Sequence, residues 1–163
     1  MEKLYVLEHF QNHLSNRYAE EKKLIKTIQL LGDRAGSPEL RKALSPVETG
    51  SDVHLDRLDQ LLKRMKLKKG NTVAETADAL VKEAKSAAGR KNVVSLEKDF
   101  NILICAKRIQ HERIVHFQLL HLMSVALNLE FEASLLEQCL AEHQNTDAYL
   151  SQIAQNVLLK VAE

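Results

Sequence analysis

The stretch that most restricts what this chain can fold into is 106–117, Ala-Lys-Arg-Ile-Gln-His-Glu-Arg-Ile-Val-His-Phe. It lies inside a long helical pattern. Leu103, Ala106, Phe117 and Leu120 recur at three- and four-residue steps and so share one face. Gln110 and Arg113 fall on that same face, one turn apart. Burying an amide and a guanidinium costs free energy unless both meet partners. The stretch therefore calls for a bundle of helices whose interior is polar at this one height.

The rest of the chain is suited to supplying those helices. It has 163 residues with five glycines, two prolines and no tryptophan, a balance that favours helix throughout. This length is enough for one domain, 1–163, with a sizeable core. A net charge of +1 gives no bulk attraction to nucleic acid or to an anionic membrane surface. No apolar run is long enough to span a bilayer, and no basic segment followed by an apolar run marks a signal peptide. Cys105 and Cys139 sit in apolar helical patterns and read as buried thiols of a cytoplasmic protein.

Taken in order, the first helix spans about 3–31. Its stripe is Leu7, Phe10, Leu14, Arg17, Glu21, Leu24, Ile28 and Leu31, so two charges interrupt the apolar face at mid-length. His9 and His13 are spaced i, i+4 but lie beside the stripe with no third ligand, and read as a solvated pair. Ser37-Pro38-Glu39 opens the second helix with a good N-cap and a proline at the first helical position. Its stripe is Leu40, Ala43, Val47, Gly50, His54, Leu58, Leu61 and Met65. Pro46 falls within it, and Ser45 to Glu48 forms a capping box, so this helix is expected either to kink at Pro46 or to restart there. A second capping box, Thr72 with Glu75, opens a short helix over about 73–87. Two more long helices follow, over about 95–127 and 131–161. The stripe of the last is Leu135, Cys139, Glu142, Thr146, Tyr149, Ile153 and Val157. Four long helices with a longer central connection imply an all-α, up-down four-helix bundle with a short extra helix in the crossover.

At mid-height the stripes place Glu21, Gly50 with His54, Gln110 with Arg113, and Glu142 together. His143 is expected to point roughly 100° away from Glu142. A di-metal carboxylate bundle needs a Glu from each of two helices and a Glu-x-x-His from each of the other two. This layer has two carboxylates and one imidazole beside a glutamine, a glycine and an arginine. Arginine keeps its proton and repels cations. The geometry suits a two-metal site, and the chemistry does not.

Several segments carry a resemblance. They are Tyr18-Ala-Glu-Glu21-Lys-Lys-Leu24, Ser37-Pro-Glu-Leu40, His54-Leu-Asp-Arg57-Leu58, Ala106-Lys-Arg-Ile-Gln-His111, and Leu140-Ala-Glu142 followed by Thr146-Asp147. In this order and spacing the chain resembles the YciE/YciF group, bacterial ferritin-like bundles linked to stress responses. The resemblance implies metal ligands at Glu21, His54 and Glu142. The group's other acidic ligands fall on Gly50, Gln110 and Arg113 of this chain, and the Glu next to the Glu142 position falls on His143. It also implies a homodimer.

The expected function is that of a ferritin-like bundle with a degenerate di-metal site, a non-catalytic structural, interaction or stress-associated protein that needs no cofactor. Arg113, with Arg17 and Gln110 in support, is expected to pair with Glu21 and Glu142 in place of metal. Two alternatives stand. One is a redox protein holding iron or manganese on Glu21, His54 and Glu142. The other is a pocket for a small anion drawn to Arg113. His111, His116 and His121 read as boundary or flank positions. Lys22-Lys23 and the 66–69 region read as solvated charge, with no nucleic-acid patch.

Overall fold

The computed structural model describes residues 1–162, and all the regular structure in them is helical. The elements are α1 (Glu2–Arg34), α2 (Pro38–Ala43), α3 (Pro46–Thr49), α4 (Ser51–Arg64), α5 (Glu75–Ala88), α6 (Leu96–Ala126) and α7 (Glu130–Ala162). Glu163, the last residue of the expected domain 1–163, lies outside the described residues. No helix among them is long and apolar enough to cross a membrane.

The second bundle member is broken into α2, α3 and α4, and each break has a local cause. The Ser37 side chain accepts from Leu40 N, with Pro38 at the first helical position. The Ser45 side chain accepts from Glu48 N and Pro46 starts α3, so the chain restarts at this proline instead of kinking through it. Gly50 then takes φ +61°, a left-handed conformation that glycine adopts without steric cost, and α4 begins anew. The restart turns Val47 outward, where it is exposed, and buries Thr49 and Ser51 in its place. Val47 is thus not part of the inner stripe.

The Thr72 capping box does not form. α5 starts at Glu75 with no side-chain cap, and the Ala74 amide donates to Glu20 Oε1 at 3.2 Å. A carboxylate from α1 has replaced the local hydroxyl. Ser95 caps α6 as its sequence implies, accepting from Lys98 N at 3.1 Å. Asn128, at φ 59°, makes the tight turn from α6 into α7.

Two hydrophobic clusters show the chain directions. One joins Phe10 and Leu14 of α1 to Leu58 and Leu61 of α4, Phe117 and Leu120 of α6, and Leu136 and Cys139 of α7. The other joins Leu24, Ile28 and Leu31 to Leu40 and Ala43, Val81 and Ala84, Ile102 and Ala106, and Leu150 and Ile153. α1 and α7 therefore run one way, and the α2–α4 series and α6 run the other. The crossover returns along α1, pinned by Gly70 N on Ser15 O at 3.0 Å and by Lys23 on Asp78 at 2.5 Å. α5 packs on α1 and α6 at one end only. Between the two apolar clusters lies a layer of buried polar side chains.

Candidate functional site

The layer is built from one turn of each long element: Arg17, Glu20 and Glu21 of α1, His54 and Arg57 of α4, Gln110, Glu112 and Arg113 of α6, and Glu142 and His143 of α7. Glu21 is its centre and is fully buried. Arg113, equally buried, reaches it with Nη2 2.8 Å from Oε2 and Nε 3.2 Å from both oxygens. Arg17 approaches from α1 itself, with Nε 3.1 Å and Nη2 2.5 Å from Glu21 Oε1. Both oxygens of Glu21 are thus held by guanidinium groups.

Arg17 is saturated. Its Nη1 also donates to Glu20 Oε2 at 3.0 Å and Glu112 Oε1 at 2.7 Å, and its Nη2 to Glu112 Oε2 at 2.9 Å. Burial disfavours its charge, but Glu21 and Glu112 more than offset that and raise its pKa. Burial would push the Glu21 carboxyl up, yet Arg113 and Arg17 hold it well below the usual carboxylate range. Burial opposes ionisation of Glu112 as well. Hydrogen bonds from His116 and Arg17 nevertheless bring it down to about 2. His116 is raised in return by its bond to Glu112.

Glu142 stands apart from this network. Its side chain is 40% exposed and accepts from Arg57 Nη1 at 2.7 Å and Nη2 at 3.0 Å, in a two-pronged pair, and from His54 Nε2 at 2.5 Å. The expectation that Arg113 would pair with Glu142 is therefore corrected: among the carboxylates of the layer, Arg113 bonds to Glu21. The reason is the rotation of α7, whose inner face carries Leu136, Cys139, His143, Thr146, Leu150 and Ile153. Leu135 and Tyr149, assigned to the inner stripe from sequence, are only partly buried. His143, expected to point away, is fully buried. Its ring lies 4.3 Å from that of His54 and 5.0 Å from that of Phe117. Burial and then Arg113 depress its pKa well below the ordinary histidine range, and the same two causes lower His54. Both shifts favour the neutral imidazole.

Among the described residues, four buried atoms of this layer have no hydrogen-bond partner: His54 Nδ1, Gln110 Nε2, His143 Nδ1 and His143 Nε2. Gln110 is otherwise held, its Oε1 accepting from Arg113 Nη1 at 3.2 Å. The flank residues are placed as follows. His111 is exposed and lies 3.1 Å from Asp147, His116 bonds to Glu112, and His121 Nδ1 lies 3.0 Å from Ala133 O. His9 and His13 are exposed and stack at 6.1 Å. Cys105 and Cys139 are unpaired and buried, and burial pushes the Cys139 thiol up to about 11.

The layer can be tested against a two-metal site. Such a site takes four carboxylates and two imidazoles from the helices of a bundle. Here Gly50, Gln110 and Arg113 occupy inner positions, and the one central carboxylate is already neutralised twice. The residues do not fit two metals. A smaller grouping exists: Glu21, His54 and His143 each offer a ligand atom, all within 4.8 Å of one another. Glu142, expected as the third ligand, is replaced in that grouping by His143. A second grouping, Glu20, Glu112 and His116, surrounds the Arg17 guanidinium.

Sequence reasoning had not found Glu20, Arg57, Glu112 or His143 as members of the layer. Two of them had local signals: Arg57 lies one turn after His54, and Glu112 is spaced i, i+4 with His116.

Fold and layer together define an all-helical bundle with an ion-paired polar centre. Residues 6–163 match the family described as "Domain of unknown function (DUF892)", and the chain belongs to that family. Protein YciF of Escherichia coli (strain K12) is 26% identical over 159 residues, 94% of this chain and 93% of that protein. The crystal structure of the E. coli stress protein YciF matches with a TM-score of 0.86 at 22% identity, covering 95% of this chain and 98% of that one. YcfI from Rhodopseudomonas palustris, proposed to be a structural protein, matches with a TM-score of 0.79 at 19% identity over 90% of this chain and 92% of that one. The resemblance drawn from the sequence motifs is met.

Proposed function

We propose that this chain is a non-catalytic, ferritin-like bundle in which guanidinium groups stand in a layer suited by position to metal, and that it serves a structural or stress-associated role in the cytoplasm. The observation that carries the reading is that Arg17 and Arg113, both fully buried, hold both oxygens of Glu21. A cation built into the chain needs no cellular metal supply, and it cannot leave. Similarity to a protein described as a stress protein supports the stress association. Two buried, unpaired thiols fit a reducing compartment.

The test is elemental analysis of the protein purified without tags or chelators. The expected result is well under one equivalent of iron, manganese or zinc. A stoichiometric, tightly held metal with Glu21 in its coordination shell overturns the reading.

A second reading rests on one observation, the proximity of Glu21, His54 and His143. Two imidazoles and one carboxylate are the ligand set of mononuclear ferrous sites. On that reading a single iron or manganese ion displaces a guanidinium from Glu21, and the same elemental analysis decides between the two.

A further inference from the structure

The end of the bundle away from the Phe10 and Leu58 cluster holds an apolar cavity of about 310 Å3, bounded by the start of α2, the first turns of α6 and the last turns of α7. Its floor is Leu40, Leu103 and Ile153, all buried. Phe100 and Val157, half-buried, are its walls. At the rim Leu96 and Val161 are 59% and 68% exposed. Floor, wall and rim thus form one continuous apolar path from the interior to water. A hydrocarbon chain laid along it removes apolar surface from solvent on both sides of the contact, and the volume is that of a small-molecule site.

We infer that this cavity binds the alkyl chain of a medium-chain fatty acid, with its carboxylate at the rim beside Lys160 and Ser37. Hydrogen-bonding capacity selects the head group. The carboxylate at the mouth, Asp99, is already occupied: its two oxygens accept from Gly36 N and Ser37 N at 2.7 Å each. The Ser37 hydroxyl oxygen accepts from Leu40 N at 3.4 Å and keeps its own O–H to donate. Lys160 adds an exposed ammonium, which donates and cannot accept. Such a rim calls for an acceptor that carries negative charge. The nearby Asp99 carboxylate disfavours a head group of more than one charge, so a carboxylate suits the rim better than a phosphate. The volume is at the small end of ligand sites and takes a single chain, which selects a free acid over a two-chain membrane lipid. The cavity lies outside the polar layer, and the inference does not depend on whether that layer holds metal.

The experiment is calorimetric titration of the full chain with sodium decanoate, kept below the concentration at which it forms micelles. Saturable binding of one decanoate per chain is expected. Octanoate, shorter by two methylenes, is expected to bind about tenfold more weakly, because each methylene in the cavity adds to the affinity. Decyltrimethylammonium, with the same chain and the opposite charge, is expected not to bind. Val157→Trp fills the cavity from its half-buried wall and is expected to abolish binding, with circular dichroism confirming that the bundle still forms. Lys160→Glu, an exposed change that leaves the core untouched, is expected to weaken decanoate by about tenfold. Lys68→Glu, equally exposed at the other end of the bundle, is expected to leave it unchanged. No saturable binding of decanoate, equal affinity for decanoate and decyltrimethylammonium, indifference to chain length, to Val157→Trp or to Lys160→Glu, or binding to phosphatidylglycerol vesicles without binding to decanoate overturns the inference.

Discussion

Arg113 lies against Glu21 with Nε 3.2 Å from both carboxylate oxygens and Nη2 2.8 Å from Oε2, and neither side chain reaches solvent. This contact joins α6 to α1 across the middle of the bundle. Arg17 closes the carboxylate from the other side, and Gln110 takes a third donor of Arg113. The layer is therefore a small network in which each charged group depends on its neighbours. Such networks contribute little net stability relative to a well-packed apolar layer, but losing one member leaves the others buried and uncompensated.

Arg113→Ala is accordingly expected to destabilise the fold by about 3–5 kcal/mol, most of it from a Glu21 charge left with one guanidinium instead of two. Denaturant unfolding followed by circular dichroism measures this. A loss below about 1 kcal/mol, the size of an exposed ion pair, would show that the pair does not act as a buried one.

The layer is also expected to make stability fall with acid in two stages. His143 has a folded pKa well below its ordinary 6.5. Below that pH the unfolded chain takes up a proton that the folded chain refuses, so stability declines. Glu21 and Glu112 are depressed from 4.5, Glu112 to about 2, so their contribution is present above 4.5 and is lost as pH falls towards 2. His116, raised in the folded state, works the other way: its contribution is present below 6.5 and is lost as pH rises through its folded value. His143→Leu is expected to reduce the decline just below pH 6.5, leaving the part due to His54, to leave the carboxylate stage in place, and to add about 1 kcal/mol at neutral pH by removing unpartnered buried nitrogens. Unfolding free energies measured across pH for both proteins check this. An unchanged profile would exclude His143 as the source of the first stage.

Metal is expected to enter only when several residues change together. Arg113→Glu alone puts a second carboxylate beside Glu21 and is expected to destabilise without raising metal content. With Gly50→Glu and Gln110→Glu added, the layer gains the acidic ligands that a two-metal bundle requires, and iron or manganese is expected to bind and to raise the melting temperature. The Gly50 change carries its own cost, because φ +61° disfavours any side chain by about 1–2 kcal/mol. Elemental analysis and calorimetry of the single and triple variants decide the matter. Metal uptake by Arg113→Glu alone would mean that the arginine by itself excludes the ion.

Much of the architecture is written locally. Ser45, Pro46 and Gly50 dictate the restart of the second bundle member, because a hydroxyl cap, a missing amide hydrogen and a left-handed φ act over one turn of chain. The inward position of Arg17, Glu21, Gln110 and Arg113 follows from the spacing of the apolar residues around them, since a helix has one buried face and its period is known. These are properties of a single helix, and a single helix's sequence carries them.

Tertiary structure alone decided who meets whom. Glu142 and His143 are neighbours in sequence, and a modest rotation of α7 exchanges which of them faces the interior. That rotation is set by how Leu136, Cys139 and Leu150 pack against the other helices, and no local pattern encodes it. Arg113 found Glu21 and not Glu142 for this reason, and Arg57 took Glu142 instead. The same holds for the Ala74 amide, which passes over the Thr72 hydroxyl nearby for a Glu20 oxygen supplied by another helix. Face is a property of one helix and can be read from its period. Pairing depends on the rotation and register between helices, which only the assembled core determines.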